Sequence, residues 1–324
     1  MESTPSRNVV ALAGGVGGAK LAQGLARALP PGALTVVVNT ADDFDLYGLR
    51  ICPDLDTVLY TLGGLADPTQ GWGIAGDTTN TLEGIARYGL DPWFKLGDRD
   101  FATHILRTER LRSGAPLSAI MAELAVALGV SARVLPMSDD PVATIVETAE
   151  GDLAFQDYFV ARRQQDDVTG VRFAEITSAR PAPGVLQALA AAQTIVICPS
   201  NPFVSVAPIL AVPGLRGAFE RSAAVKIAVS PIVGGAAIKG PAAKMLASLG
   251  HRVDAAGVAA LYSGSIDGFV LDEQDATLAS AVESLGMAAL VTRTVMGGPE
   301  DRARLAGETL AWAAGFPARA GSAG

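Results

Sequence analysis

Residues 8–20, NVVALAGGVGGAK, limit the fold more than any other stretch of the chain. Val9–Leu12 is a continuous apolar run, as expected of a central parallel strand covered on both faces. Four glycines follow within five positions, and then Lys20. Glycines this dense cost backbone entropy. A strand that passes at once into a helix leaves backbone N–H groups free to hold an anion. Two phosphate-binding patterns come near, and neither fits. The Walker loop needs Ser or Thr after its lysine, where this chain has Leu21. The dinucleotide fingerprint needs a sixth-position glycine, where this chain has Lys20. The expectation is a phosphate cradle built from Gly14, Gly15, Gly17, Gly18 and Lys20; the alternative is a tight strand–helix turn with an exposed lysine.

Strand-like and helix-like stretches alternate after this start. A helical pattern over 19–29 stops at Pro30-Pro31-Gly32, and the β-branched run LTVVVNT follows at 34–40. Helices are predicted over 56–65, 78–90 (with Asp77 as its N-cap), 101–114 and 116–129. The texture changes after that. Strand-like runs flank Glu150-Gly151, a hairpin signature, and QQDDVTG at 164–170 reads as a polar connector. TIVICPS (194–200) and AVKIAVS (224–230) restore the rhythm, and an amphipathic helix begins near Glu300. The predicted fold is α/β: a Rossmann-like, mostly parallel sheet with helices on both faces and a small β-containing insertion. Residues 1–140 and 181–316 form the core, 141–180 a hairpin-containing insertion, and 317–324 a disordered tail.

The chain has 33 acidic and 25 basic residues, a net charge of −8. That excludes a general nucleic-acid surface, which needs an electropositive stripe. Cys52 and Cys198 form no CxxC pair, so the default is a reducing compartment without a disulfide framework. No apolar run approaches the roughly 18 residues of a membrane span, and MESTPSRN has no apolar signal core. A cytoplasmic protein without a membrane partner is expected.

Chemistry-bearing residues gather at predicted strand ends. NTADDFDLYGLRICPDLDT (39–57) carries Asp42, Asp43, Asp45, Asp54 and Asp56. Oxygen ligands beside a phosphate site suit Mg²⁺, which takes one or two carboxylates and keeps phosphate oxygens and waters. Asp42 and Asp43 are the metal candidates; helix capping is the alternative, particularly for Asp54 and Asp56. KLGDRDFATHILR (95–107) packs Lys95, Arg99 and His104 together. A helix starting at Asp98 or Asp100 puts Asp100 and His104 on one face, in either a functional or a structural pair. Lys95 and Arg99 can contact phosphates or a polyol. Ser200 and Asn201, in PSNP, follow an apolar strand, and SPIVGGAAIKG (230–240) repeats the strand-end geometry with Lys239. PMSDDP (136–141) and His251 read as structural.

No G-x-S-x-G elbow is present, and two scattered histidines do not make a zinc site. A phosphate cradle, carboxylates for a hard cation and a few basic groups fit phosphoryl or phosphodiester transfer, where catalysis is mostly positioning and charge neutralisation. A carboxylate can also orient or deprotonate an attacking hydroxyl.

GGVGGAK, NTADD, GLRICPDLDT, WGIAGDT, KLGDRDFATH, PMSDDP, AFQDYF, PSNP and SPIVGG occur in an order that resembles the 2-phospho-L-lactate transferase family of coenzyme F-420 biosynthesis, across about residues 8–295. The resemblance implies a Mg²⁺-dependent, commonly dimeric transferase. The ribityl hydroxyl of the deazaflavin Fo would attack a guanosine-diphosphate-linked organic acid donor, and GMP would leave. It implies that Asp56 and Lys95 contact Fo. Asp54, Asp56 and Lys95 are then the catalytic candidates, and Arg99 and His104 further Fo contacts. The glycine loop, Lys20, Asn39, Ser200 and Asn201 would hold the guanosine diphosphate. The acid can be phospholactate, phosphoenolpyruvate or phosphoglycerate, and no residue decides between them. The alternatives are a nucleotide-sugar-binding regulatory protein of the related gluconeogenesis-factor group and an NAD-dependent dehydrogenase. FDLYGLRICPDLDT after the acidic pair disfavours the first, and the missing third fingerprint glycine disfavours the second.

Overall fold

The computed structural model describes residues 8–317. In chain order the strands begin with β1 (Val9–Ala13), β2 (Leu34–Val38), the short hairpin β3 (Phe44–Leu46) and β4 (Leu49–Ile51), and β5 (Arg133–Pro136). An outlying group follows: β6 (Ala143–Thr148), β7 (Gly151–Ala154) and β8 (Val168–Ala174). Then come β9 (Thr194–Ile197), β10 (Val225–Val229), the small hairpin β11 (Ile232–Val233) and β12 (Ala236–Ala237), β13 (Gly268–Asp272) and β14 (Ala288–Thr292).

Seven strands form one parallel sheet in the order β14-β13-β10-β9-β1-β2-β5. The chain builds outward from β1 to β2 and β5, then crosses to β9 and builds the other way. The direction of winding therefore switches between β1 and β9, and a crevice opens beyond their carboxyl ends. Every residue of β1 and β2 is buried, because helices cover both faces. Val10 and Leu12 pack with Leu189, Ile209 and Phe219 on one side. Val9 and Ala11 pack with Leu21, Leu55, Leu124 and Leu305 on the other. The α/β sheet expected from the alternation is thus the observed one.

The helices that matter for the site are α1 (Gly15–Ala28), α2 (Pro53–Leu62), α3 (Asn80–Arg87), α4 (Asp98–Arg112) and α5 (Leu117–Ala127). Two local expectations need correction. Asp77 does not cap α3: its carboxylate accepts from the Arg99 and Asp100 amides at the start of α4. Asp98 in turn accepts from the Asn80 and Thr81 amides at the start of α3. The two helix starts exchange caps because they meet side by side, a tertiary arrangement invisible to a local pattern. Second, the hairpin around Glu150-Gly151 is joined by a third antiparallel strand, giving the order β7-β6-β8. The end of the supposed polar connector enters β8 at Val168 and pairs the otherwise open edge of β6, as a hairpin alone is marginally stable.

Asp139 of PMSDDP accepts from the Ser118 amide and hydroxyl at the start of α5, and Asp140 pairs with Arg180, so that segment is structural as expected. The predicted tail lies outside the described residues except for Pro317. Among the described residues no single helix is long and apolar enough to cross a membrane.

Candidate active site

A cavity of about 520 Å³ opens beyond β1 and β9. Gly14, Gly15, Gly17, Lys20, Ser200 and Asn201 line it, as do Asp42, Asp54, Asp56, Lys95 and His104. Gly18, Asn39, Asp43 and Arg99 do not.

The glycine segment is a helix start, with Gly14 as N-cap and Gly15 in the left-handed region at φ 64°. Close approach explains three of the others. A Cβ on Gly14 would lie 2.6 Å from Asp54 Oδ2, one on Gly18 would lie 2.6 Å from Ser200 Oγ, and one on Gly17 would strike the Pro199 carbonyl. The glycines thus let the first turn of α1 meet both the PSNP turn and the start of α2. Gly14 N–H donates to Ser200 Oγ (3.2 Å), and that hydroxyl donates back to the Gly14 carbonyl (2.8 Å). Gly15 N–H donates to Asp54 Oδ1 at 2.7 Å. A carboxylate of the chain itself therefore takes one of the amides expected to bind phosphate. Asn201 caps the short helical segment after it, accepting from the Phe203 and Val204 amides.

Asn39 organises the acidic cluster. Buried at the end of β2, its amide nitrogen donates to Asp42 Oδ2 and Asp54 Oδ2, both at 3.0 Å, and to the Val204 carbonyl at 3.1 Å. Burial first, and then the nearby Asp54 charge, raises the Asp42 carboxyl well above its usual range. Burial raises Asp54 to about 6 despite the Asn39 and Gly15 hydrogen bonds. Asp42 Oδ1 is buried without a partner. Asp43 is placed differently: it stands 4.0 Å from Arg50 and is raised by burial to about 7. Among the described residues no group of three or more His, Cys, Asp or Glu is arranged as a metal cage. Of the three neighbouring carboxylates, Asp42 and Asp54 line the cavity and Asp43 does not.

Asp56 and Tyr60 of α2 meet Asp100, His104 and Arg107 of α4. Arg107, fully buried, pairs through both terminal nitrogens with the two Asp56 oxygens. His104 lies between two carboxylates, with Nδ1 3.6 Å from Asp56 Oδ2 and Nε2 3.4 Å from Asp100 Oδ1. Tyr60 donates its hydroxyl proton to Asp100 Oδ1 at 2.7 Å. The i, i+4 face of Asp100 and His104 is as expected. Burial alone would raise Asp100, but His104 and the Tyr60 hydroxyl hold it below the usual value.

Lys20 donates to the Met296 carbonyl at 3.0 Å and is lowered by burial, with Arg302 and Lys239 adding to the effect. Lys95 donates to Gln70 Oε1 at 3.0 Å and lies over the Trp72 ring. Arg99 is exposed and does not line the cavity. Sequence reasoning missed Tyr60 and Arg107, although the 56/60 and 100/104/107 spacings place them on facing helical stripes. It also missed Trp72, Trp93, Phe94, Phe155 and Gln156, which line the cavity from loops and from the insertion. Loop aromatics carry no periodic signal; Trp72, Phe155 and Gln156 lie in the WGIAGDT and AFQDYF segments, which marked the family resemblance without assigning them a place in the site.

A family profile described as 2-phospho-L-lactate transferase CofD matches residues 9–289. The chain belongs to that family. It is a transferase of coenzyme F-420 biosynthesis, as the motif order implied, and the regulatory alternative is not favoured. The family's relatives bear different names at similar distance. A phosphoenolpyruvate transferase from Streptomyces griseus is 45% identical over 309 residues, covering 93% of this chain and 97% of that one. A 2-phospho-L-lactate transferase from Methanosarcina mazei is 43% identical over 298 residues, covering 92% and 98%. The crystal structure of protein BH3568 from Bacillus halodurans shares the fold, with a TM-score of 0.63 at 20% identity over 94% of this chain and 99% of that one. Within this transferase family member, the residues of GGVGGAK, NTADD, PDLDT and PSNP converge on the switch-point crevice although they are up to 186 positions apart.

Proposed function

We propose that this family member transfers a phospho-organic acid from a guanosine-diphosphate-linked donor to the ribityl hydroxyl of Fo. The hydroxyl oxygen bonds to the phosphorus nearest the acid, the bond from that phosphorus to the GMP oxygen breaks, and GMP leaves. The observation that carries the reading is the convergence, in one cavity, of a helix N-terminus with Lys20 and a buried carboxylate cluster. Anion-binding amides and charge-neutralising groups are what phosphoryl-type transfer requires.

In this reading the α1 amides beyond Gly15, with Lys20, hold the diphosphate. Asp42, which lines the cavity and whose buried Oδ1 and raised proton affinity mark a site short of positive charge, would hold Mg²⁺. When bound, the ion supplies charge neutralisation on phosphate oxygens. Asp43, whose two buried oxygens also lack a hydrogen-bond partner, stands off the cavity lining beside Arg50 and is assigned no metal contact in this reading. Asp54, at about 6, takes the hydroxyl proton near neutral pH. Asp56 and Lys95 hold the acceptor, with Trp72, Trp93 and Phe94 offering aromatic faces for a flat heterocycle. Arg99 is assigned no contact with Fo.

The names of the relatives suggest enolpyruvyl and lactyl donors as the first two to try. Family resemblance supports a homodimer, and two free buried cysteines support a reducing, cytoplasmic setting. The test is to incubate the purified protein with Fo, Mg²⁺ and separately enolpyruvyl, lactyl and glyceryl GDP-linked donors, then weigh the products. A phosphodiester of Fo with one acid, plus GMP, is expected. No such product with any donor would overturn the reading.

A further inference from the structure

Arg107 is the one member of the α2–α4 network that does not line the cavity. Asp56, Tyr60, Asp100 and His104 all do. Arg107 stands behind them, fully buried, with its planar fork on both oxygens of Asp56 and a further hydrogen bond to the Arg50 carbonyl at 3.3 Å. A buried ion pair is weak support for stability, because well-packed apolar residues often serve equally well. What the fork adds is geometry. Two parallel N–H donors hold the plane of a carboxylate as a single ammonium cannot. On the other side, the His104 ring is wedged between Asp56 and Asp100, and Tyr60 holds Asp100. The arrangement spans two helical faces, Asp56 and Tyr60 on α2, and Asp100, His104 and Arg107 on α4. It leaves Asp56 no freedom to turn, while keeping it in the cavity wall.

We propose that Arg107 is a positioning residue for the acceptor: its fork, with His104 as a stop, fixes the Asp56 carboxylate in the orientation that accepts a hydrogen bond from the acceptor's polyol chain. This rests on the reading above that Asp56 holds Fo. Arg107 touches neither substrate, and it acts through Asp56.

The test compares Arg107→Lys, Arg107→Met, Asp56→Asn and the double variant Asp56→Asn/Arg107→Met with the unaltered protein. Three readouts are needed: Fo binding followed by its own fluorescence, GDP binding by calorimetry, and the split of acceptor KM against kcat. Arg107→Lys keeps the charge and loses the fork. It should weaken Fo binding at least about tenfold, as misplaced groups do, while GDP affinity stays within about twofold and KM rises more than kcat falls. In the Asp56→Asn background, Arg107→Met should add less than about twofold, because a residue acting through another has nothing left to position. Fo binding by Arg107→Lys equal to that of the unaltered protein would overturn the proposal. If either single Arg107 variant fails to fold, the double variant, which removes both charges together, decides by the same additivity criterion: a full extra loss of Fo binding overturns the proposal. Failure of the unaltered protein to bind Fo would instead sink the acceptor reading.

Discussion

Asn39 and Asp54 are joined by a 3.0 Å hydrogen bond from the Asn39 amide nitrogen, and the same nitrogen also donates to Asp42 at 3.0 Å. One neutral amide therefore ties the end of β2 to the start of α2 and supports two buried carboxylates at once. Its own oxygen is taken by the Ala41 amide. It is the hinge of the acidic cluster without itself lining the cavity.

Replacing Asn39 by Leu should therefore be costly beyond its size. Each of the two buried carboxylates left without this donor carries a penalty of about 1–3 kcal/mol, so a stability loss of roughly 2–6 kcal/mol is expected. Urea unfolding of the metal-free protein measures it. A loss below about 1 kcal/mol would mean the two carboxylates find other donors.

The acidic cluster also makes stability depend on pH. Asp43 rises by burial from 3.8 to about 7, and Asp54 from 3.8 to about 6. Both bind protons more tightly folded than unfolded, so the metal-free fold loses stability as pH rises from about 4 to about 7, and the loss is complete above that. The Asp43→Asn variant should show a shallower fall of melting temperature between about pH 5 and 7. Mg²⁺, by neutralising Asp42, should raise the melting temperature more at about pH 7.5 than at about pH 5, and Asp42→Asn should abolish that rise. An equal Mg²⁺ effect at both pH values, or one that survives Asp42→Asn, would count against the assigned ligand.

Turnover should follow the proton on Asp54. With the group at about 6, its base form fills as pH rises through that value, so kcat climbs over the same interval and then levels. Asp54→Asn should remove that limb and lower kcat by about 10²–10⁴-fold. A variant that keeps the limb would hand the base role to another group.

Gly17 offers a test in which two effects have opposite signs. Helix propensity favours Ala over Gly by about 1 kcal/mol. At this position, however, a methyl group would strike the Pro199 carbonyl, which is backbone and cannot swing aside. Gly17→Ala should destabilise by about 1–3 kcal/mol. Gly18→Ala should do so by less, since its nearest neighbour is the rotatable Ser200 hydroxyl, although Ala13 Cβ stands 3.1 Å away. Chemical denaturation of the two variants decides the order, and a stabilising Gly17→Ala would show that the crevice can widen.

Much of the fold was legible because it is written in short-range pattern. Continuous apolar runs at 9–12, 195–197 and 227–229, each followed by small or polar residues, mark buried parallel strands and their ligand-facing ends. The α4 stripe of Asp100 and His104 followed from helical spacing. The cap exchange between Asp77 and Asp98, the third strand of the insertion and the loop aromatics did not, because each depends on a partner distant in sequence.

The sequence by itself determined the layers of the fold, the family and part of the crevice lining, since hydrophobic periodicity and motifs are written in the chain itself. Only the tertiary structure decided how the acidic residues divide. Asp42 and Asp54 share Asn39 at the cavity, Asp43 turns to Arg50, and Asp56 is gripped by Arg107 from α4. The reason is physical: a carboxylate's role depends on its burial and on which donor or charge faces it. Those neighbours here come from helices and strands up to 51 positions away.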